Sequence, residues 1–271
     1  MKPLWLFATL WSLRQYPTLA REWSWPRKFA AIRDAGFDGV MSPPIPALAE
    51  RGALRYLAVG SVSTPAAVTA LFSESQRLGA SAVNVQIGQP LTTLATALRL
   101  ARSIRAASHA FALPVAIETH RATFTERPEQ VQALQKAYRK IFDEALPICI
   151  DYSHFALVRH LATEATWPTL QRQPFILAHA RQLHLRPSNA HHAQLPVLNT
   201  RGRRTPEYLA WRDQFAAPLL QHLRSRRRNE PLIVVPEFGH RAPTYGLSTH
   251  GDTWRDTLVL ARDLRTLWST R

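Results

Sequence analysis

Short apolar stretches alternate with longer stretches in which apolar residues recur every three or four positions, from one end of the chain to the other. The short stretches are rich in Val, Ile and Leu and predict strands, whereas the longer ones predict amphipathic helices. The predicted strands are residues 4–8, 39–42, 54–59, 82–87, 114–118, 148–151, 182–185 and 232–236. Strands that alternate with helices form parallel βα units, and eight such units favour a closed barrel over an open sheet.

The segments between the strands have the spacing of helices that cover a sheet. In one of them the apolar residues are Leu94, Ala97, Leu98, Ala101 and Ile104, which fall on one helix face. No Gly/Ser-rich linker or low-complexity tract separates the units. We therefore expect residues 1–271 to form a single domain, an α/β fold of the (β/α)8 TIM barrel type with a parallel eight-stranded barrel and outer helices.

The charge of the chain is strongly positive. Lys and Arg total 34 against 19 Asp and Glu, which gives a formal net charge of +15. The Arg residues are spread over the predicted helix faces and cluster only at residues 201–204 and 224–228. A solvated, Arg-rich surface explains this pattern better than a nucleic-acid interface, and phosphate binding on a substrate or on DNA is the alternative.

Cysteine usage and hydropathy indicate a cytoplasmic protein. The single Cys149 lies in an apolar stretch, so we expect a buried, inert thiol and a reducing compartment. The apolar run at residues 3–11 has only Lys2 as a preceding charge and no small-residue cleavage site, which favours a first strand over a signal peptide. No stretch reaches the roughly 18 apolar residues that a membrane-spanning helix needs, so no membrane contact is expected.

Four successive strands end in residues that bind metals. They contribute Glu118, Asp151, His184 and Glu237 at their carboxyl ends, where the active sites of such barrels lie. Taken singly, an acidic residue after a strand is commonly a helix cap and a histidine there is commonly structural. Capping gives no reason for four strands in a row to end in this way, and Glu is a poor cap, so the set predicts a metal site.

The predicted cofactor is one divalent metal ion. Three carboxylates that converge on one buried site repel each other and are costly to desolvate unless a cation lies between them. Oxygen-rich ligation with one histidine suits Mn²⁺, Mg²⁺ or Co²⁺ best, and Zn²⁺ is acceptable. The residues do not distinguish among these four ions.

The motifs around these residues resemble those of the xylose isomerase-like TIM barrel superfamily, which includes sugar phosphate isomerases and epimerases. They are Glu-Thr-His-Arg at 118–121, Asp-Tyr-Ser-His at 151–154, His-Leu-Arg at 184–186 and Pro-Glu-Phe-Gly at 236–239. The run Asp-Ala-Gly-Phe-Asp-Gly-Val at 34–40 is similar to the first helix and second strand of the family. The resemblance extends over the whole chain.

The resemblance implies roles for individual residues. Glu118, Asp151, His184 and Glu237 would bind the metal, and His154 and Arg186 would contact substrate oxygens. Glu118 and Glu237 would be the acid/base pair on opposite sides of a carbon next to a metal-chelated carbonyl, which inverts a stereocentre; one base serving two carbons would isomerise the sugar instead. The implied partner is a sugar or sugar phosphate, and a homodimer is common among relatives.

The chain departs from the family at the second strand. Many members end this strand in Glu, whereas Met41 follows Val40 here, which removes one acidic group from the mouth. On the fourth strand, Asn84 and Gln86 are neutral and are candidates for binding hydroxyls. This composition leaves the substrate open.

The sequence also predicts the surroundings of several other residues near the site. His120 is expected to face the substrate, and Arg121 to form either a structural salt bridge or a phosphate contact. Trp5 and Phe7 are candidates for an apolar wall, although core packing is expected for at least one of them. Tyr245 is a candidate for reaching the pocket. His191, His192, His240 and His250 are expected to face solvent.

Two rival functions remain. The first is an endonuclease IV-like, metal-dependent nuclease on DNA, which shares the barrel and suits a +15 charge. Such enzymes resemble a three-metal design with more histidines, whereas residues 4–11, 39–44 and 54–61 contain no His, Asp or Glu. The second is a binding barrel in which the metal serves structure only. Steep salt dependence of DNA binding would identify a nuclease, and unchanged ligand binding after loss of one carboxylate would identify a binding barrel.

Overall fold

The computed structural model describes residues 3–226, 231–239 and 251–270. The eight strands pair in chain order, and β1 pairs with β8, so the sheet closes into a barrel in which all pairs are parallel. The strands are β1 Leu4–Thr9, β2 Gly39–Ser42, β3 Arg55–Val62, β4 Ala82–Ile87, β5 Val115–Glu118, β6 Ile148–Ile150, β7 Ala180–Leu185 and β8 Leu232–Pro236. This confirms the predicted (β/α)8 barrel.

The strand boundaries differ from the prediction by a few residues, for local reasons. β3 extends three residues beyond 59, because the carboxyl-terminal part of the strand pairs with β4 up to Val62. β6 ends at Ile150, one residue earlier than predicted, because Asp151 caps the next helix and its side chain accepts from the Ser153 amide. β7 begins at Ala180, two residues earlier than predicted.

Ten helices connect the strands and cover the barrel over the part of the chain described. They are α1 Trp25–Asp34, α2 Pro65–Arg77, α3 Leu94–Ala110, α4 Pro128–Phe142, α5 Tyr152–Val158, α6 Thr163–Gln171, α7 Pro174–Leu177, α8 Pro206–Trp211, α9 Ala217–Arg226 and α10 Thr253–Ser269. Helix α3 buries Ala97, Ala101 and Ile104 on the face that the periodicity predicts. None of the helices described is long and apolar enough to cross a bilayer.

The interior of the barrel is filled by side chains and is closed below the mouth. Phe7, Met41, Leu57, Ala82 and Val235 form one buried interior cluster, with Trp5 packed against it. Trp5 lies four residues before the carboxyl end of β1. This separation is about 13 Å along a strand, so Trp5 is far from the mouth.

Trp5 therefore lines a cavity at the opposite end of the barrel, with Pro114, Pro147 and Pro231. The Arg55 guanidinium lies 4.0 Å from the centre of its ring. Neither Trp5 nor Phe7 forms an apolar wall at the mouth, so this part of the expectation is wrong; both pack in the barrel, which agrees with the core packing expected for at least one of them.

Some of the clustered Arg residues form hydrogen bonds and salt bridges within the fold. In the cluster at 201–204, Arg204 donates to both carboxylate oxygens of Asp263, at 2.9 and 2.6 Å. In the second cluster, Arg224 donates to the Trp268 carbonyl at 2.8 Å, whereas residues 227 and 228 lie outside the described residues. These contacts fix helices α9 and α10 and account for two of the clustered Arg residues without nucleic acid.

Candidate metal centre

The four predicted ligands come together at the carboxyl ends of β5 to β8. Glu118 ends β5, Asp151 follows β6, His184 lies on β7 and Glu237 follows β8. One ligand atom from each of these residues lies within 4.8 Å of the ligand atoms of the other three, and all four side chains are buried. Residues separated by more than 100 positions in the chain are thus brought to one point by the closure of the barrel.

Asp151 has two roles that the sequence presented as alternatives. Its Oδ1 caps helix α5 by accepting from the Ser153 amide at 3.0 Å and from the Ser153 hydroxyl at 2.5 Å. Its Oδ2 accepts from the Arg186 guanidinium at 2.7 Å. The carboxylate is therefore held rigidly in the site, as a capping residue and a candidate ligand at once.

The centre of the site has buried polar atoms without hydrogen bonds. His184 Nδ1 lies 3.3 Å from Glu118 Oε1 and 3.1 Å from Glu237 Oε2. Among the described residues, neither His184 nitrogen nor Glu237 Oε2 has a hydrogen-bond partner. An unsatisfied buried polar group costs about 1–3 kcal/mol, and a cation between such atoms removes this cost. The oxygen-rich donor set with one imidazole thus fits a divalent ion.

The charges around the centre also favour a cation. Burial lowers the pKa of His184, but the Cys149 sulfur and the Glu118 carboxylate raise it by more, so the pKa lies well above its usual value. Burial raises the pKa of Glu237, whereas Arg186 and His184 lower it by more, to about 2. The site therefore stabilises anionic carboxylates and positive charge between them.

Arg186, behind the ligands, holds Asp151 in its charged form. Burial raises the pKa of Asp151, but the positive charge of Arg186, together with the hydrogen bond from Ser153, holds it below its usual range. Arg186 is itself buried and also donates to the Ser153 hydroxyl at 3.2 Å. Neither Arg186 nor His154 is among the described residues that line the cavity at the mouth. Their predicted contacts with substrate oxygens stay a prediction.

His120 and His154 face each other with complementary ring nitrogens. His120 Nδ1 lies 2.5 Å from the Arg121 carbonyl oxygen, which only accepts, so this nitrogen carries the proton and Nε2 keeps a lone pair in the neutral ring. His154 Nε2 accepts from Arg186 at 3.1 Å, so its Nδ1 carries the proton. Burial lowers the pKa of His154 to about 3, which keeps this ring neutral.

These two rings form a second group of ligand-type side chains with Glu118. The ring centroids are 4.2 Å apart, and ligand atoms of Glu118, His120 and His154 all lie within 4.8 Å of one another. His154 Nδ1 is buried and has no hydrogen-bond partner among the described residues. An acceptor on His120 and a donor on His154 thus lie side by side next to the Glu118 carboxylate.

The remaining predicted residues lie at different depths. Gln86 lines the cavity and donates to Glu118 Oε2 at 3.2 Å. Asn84 lies lower in the barrel, fully buried, and donates to Gln182 at 3.3 Å, which does not place it at the cavity. Arg121 lines a neighbouring surface pocket with His120 and Thr123. The roles of all three in binding substrate stay predictions.

The loop residues divide into described and undescribed ones. His191 and His192 are exposed, as expected. Tyr245, His240 and His250 lie outside the described residues.

A cavity of about 660 Å³ opens above the ligands. Its polar end is formed by Gln86, Glu118, His120, His184 and Glu237. The rest of its lining comes from the ends of β1 to β3 and the segments that follow β1 and β2; it includes Thr9, Leu10, Trp11, Arg14, Glu22, Trp25, Lys28, Met41, Pro43, Ile45, Val59, Gly60 and Ser61.

Sequence reasoning missed most of this second set. Trp25 and Lys28 lie in the first two turns of α1, and helix residues at such positions ordinarily face solvent or core. At Met41 the sequence indicates only the absence of an acidic residue, not a place in the cavity wall. No signal in the sequence shows that the segment before α1 folds over the mouth.

Comparisons with known proteins agree with this architecture. No protein-family model and no curated protein sequence matches the chain. Among solved structures, an L-ribulose 3-epimerase matches with a TM-score of 0.62 at 15% identity, covering 98% of this chain and 95% of the other. A xylose isomerase-like TIM barrel protein from Mycobacterium smegmatis in complex with magnesium matches with a TM-score of 0.60 at 13% identity, covering 99% and 97%.

A third structure, a D-allulose 3-epimerase from Methylomonas sp. in complex with D-allulose, matches with a TM-score of 0.59 at 12% identity and covers 98% and 96% of the two chains. All three alignments extend over nearly the entire length of both proteins. Identities this low establish a shared fold and nothing finer. The chain therefore has the fold of the xylose isomerase-like TIM barrel proteins.

Proposed function

We propose that this protein is a divalent-metal-dependent isomerase or epimerase that transfers a proton at the carbon next to a carbonyl of a sugar or sugar phosphate. One observation carries the proposal: the ligand atoms of four side chains lie within 4.8 Å of one another, and three of these residues, Glu118, His184 and Glu237, line a cavity of about 660 Å³. The names of the similar structures, which include two sugar 3-epimerases and a magnesium complex, support it.

The residues Glu118, Asp151, His184 and Glu237 would hold the ion. When bound, a divalent ion supplies Lewis-acid polarisation of the carbonyl, which makes the neighbouring C–H acidic enough for a carboxylate to remove its proton. We name Mn²⁺ as the first ion to test and Mg²⁺, Co²⁺ and Zn²⁺ as the alternatives.

Glu118 and Glu237 would move the proton. Glu118 Oε2 is oriented by Gln86 at 3.2 Å, while Glu237 Oε2 has no hydrogen-bond partner among the described residues and is available to accept a proton. Removal by one carboxylate and return by the other inverts the carbon, which is an epimerisation. Removal and return by the same carboxylate at two neighbouring carbons is an isomerisation.

His120 and His154 would orient the substrate. Among the residues that the structure describes, His154 Nδ1–H has no hydrogen-bond partner, so it can donate to a substrate oxygen; His120 Nε2 can accept from a substrate hydroxyl. Arg186 would act through Asp151 and His154, since it donates to both. Arg121 remains a proposed contact for a phosphate, whereas Asn84 lies below the cavity and would not contact the substrate.

Elemental analysis of the purified protein tests the metal site. We expect about one divalent ion per chain in the wild type and loss of that ion in Glu237→Gln and His184→Ala. A wild type without metal, prepared without chelators, would contradict the proposal. Two or three ions per chain would favour the endonuclease-like alternative, for which Glu118, His120 and His154 offer a second group of ligands.

Solvent exchange tests the chemistry. With ketoses and their phosphates in D₂O, we expect incorporation of deuterium at the carbon next to the carbonyl, and incorporation at least about 100-fold slower with Glu118→Gln. Binding of the sugar without exchange in the metal-loaded wild type would instead support a non-catalytic binding barrel.

Three further parts of the proposal concern context. We propose that residues 1–271 form one domain and that the protein acts in the cytoplasm, consistent with the single, fully buried Cys149. We also propose a homodimer as the state to test by light scattering. No nucleic-acid partner is proposed.

A further inference from the structure

The walls of the cavity differ in chemistry between its two ends. The end formed by β4 to β8 carries the carboxylates, imidazoles and amide described above. The opposite end is lined mainly by Leu10, Trp11, Trp25, Met41, Ile45 and Val59, which we call the apolar lobe. The lobe opens directly into the metal end, so one ligand can contact both.

The cavity is larger than a free sugar needs. Each CHOH unit of a sugar is about the size of a water molecule, whose share of the liquid is ~30 Å³, so a hexose fills roughly 200 Å³. The cavity measures about 660 Å³. A hexose bound at the metal end leaves the apolar lobe empty or filled with water.

The lobe offers few partners for hydroxyl groups, because the Thr9 hydroxyl already accepts from the Trp11 amide and the Ser61 hydroxyl already donates to Gln86. Met41 is buried and lies one residue before the end of β2, where its thioether offers a substrate hydroxyl no strong hydrogen-bond partner. A hydroxyl placed against such walls loses its hydrogen bonds to water and gains none, which is unfavourable. Trp11 and Trp25 instead offer large rings to an apolar group.

The charges at the edge of the lobe do not form a phosphate site. Lys28 is buried and forms a salt bridge with Glu22, while its Nζ lies 4.4 Å from the centre of the Trp25 ring. Its positive charge is therefore compensated. Arg14 is exposed and forms no salt bridge with a described residue, so one cation at the rim is left for an anion. Phosphate sites ordinarily combine several donors around the anion.

We propose that the substrate is a hydroxy ketone or keto sugar that carries an apolar substituent, such as an aryl or alkyl glycoside, and that the apolar lobe binds this substituent. This inference rests on the proposed function for the sugar end and adds the substrate class. A free ketose would bind through the metal end only.

Calorimetric titration tests the lobe with matched pairs of methyl and phenyl glycosides of glucose, galactose and xylose. These probes do not react, so binding is measured apart from catalysis. We expect the phenyl compound of at least one pair to bind ten times more tightly or better than its methyl partner. Trp25→Ala and Ile45→Asn should abolish this preference, because both residues line the lobe and neither is a proposed metal ligand.

Trp167→Ala is the matched control. Trp167 is a partly buried tryptophan that contacts His222 and does not line the cavity, so the phenyl preference should survive in this variant. Circular dichroism establishes that each variant is folded. Equal affinity within all three pairs would overturn the inference, as would a phenyl preference that persists in Trp25→Ala and Ile45→Asn.

Two further measurements separate this inference from its rivals. If glucose 6-phosphate binds more tightly than the phenyl glycosides and this advantage is lost in Arg14→Gln, the substrate carries a phosphate and not an apolar substituent. Repeating the titrations in EDTA distinguishes the lobe from the metal site. A phenyl preference that persists in EDTA supports the lobe even if the elemental analysis finds no metal, in which case only the proposed function fails.

Discussion

The two halves of the barrel mouth differ in how directly their strands supply the lining. On the β5 to β8 side, Glu118, His184 and Glu237 lie on the strands or directly after them. On the β1 to β3 side, the strands contribute Met41 and Val59, and much of the wall comes from segments that follow the strands. The comparison shows that the charged half is encoded in strand ends, whereas the apolar half depends on how loops fold over the mouth.

The first prediction tests whether the charged half carries the chemistry. Glu118→Gln keeps the shape of the side chain and removes its basicity, so the rate of deuterium exchange should fall about 10²- to 10⁴-fold. Glu126→Gln is the control, because Glu126 accepts from the Ala122 amide nearby and does not line the cavity. An exchange rate for Glu118→Gln within about tenfold of the wild-type rate would show that another residue removes the proton.

The second prediction concerns the charge that supports this half. Arg186→Met leaves the buried Asp151 carboxylate without the guanidinium that lies 2.7 Å away. Breaking a buried ion pair on one side costs about 3–5 kcal/mol of unfolding free energy, which urea denaturation of the metal-free protein measures. In the control Arg77→Met, the exposed pair with Glu74 is lost, and the change should be about 0–1 kcal/mol. Similar losses in both variants would show that Asp151 does not depend on Arg186.

The third prediction concerns the core beneath the apolar half. A Cβ on Gly39 would lie 2.4 Å from the Phe7 ring and 2.7 Å from the Arg55 carbonyl oxygen, so Gly39→Ala should lower the unfolding free energy by about 1–3 kcal/mol. In the control Gly251→Ala, the nearest atom to the added Cβ is the Leu198 carbonyl oxygen at 4.0 Å, so the unfolding free energy should change little. If both substitutions are tolerated equally, β1 and β2 are packed more loosely than their contacts indicate.

These contrasts explain which features the sequence predicted. The strands and the closed barrel followed from hydrophobic periodicity, because a parallel strand buried on both faces leaves a continuous apolar run. The approach of Glu118, Asp151, His184 and Glu237 followed from the rule that carboxyl ends of barrel strands share one face. Both inferences use local patterns together with a fixed topology.

The features that the sequence did not predict depend on nonlocal packing. The sequence did not show that Trp25 and Lys28 line the cavity, because their positions depend on the path of residues 10–24. Trp5 lies at the end of the barrel opposite the mouth, because its position along β1 decides which end its side chain reaches. Asn84 and Gln86 occupy equivalent positions in the alternation of β4, yet only Gln86 is far enough along the strand to reach the cavity.

The last and smallest effect is expected where the two halves meet. Ser61, on β3, donates to Gln86 Oε1 at 2.7 Å, and Gln86 donates in turn to Glu118 Oε2 at 3.2 Å. Ser61→Ala removes a neutral, exposed hydrogen bond worth at most about 1 kcal/mol, so the exchange rate should fall roughly two- to fivefold. Because Ser61 acts only through Gln86, the loss should disappear in a Gln86→Leu background and should be restored by Ser61→Thr. A Ser61→Ala effect that is unchanged in the Gln86→Leu background would mean that β3 contacts the substrate itself, and the two halves would then share the work of binding its polar end.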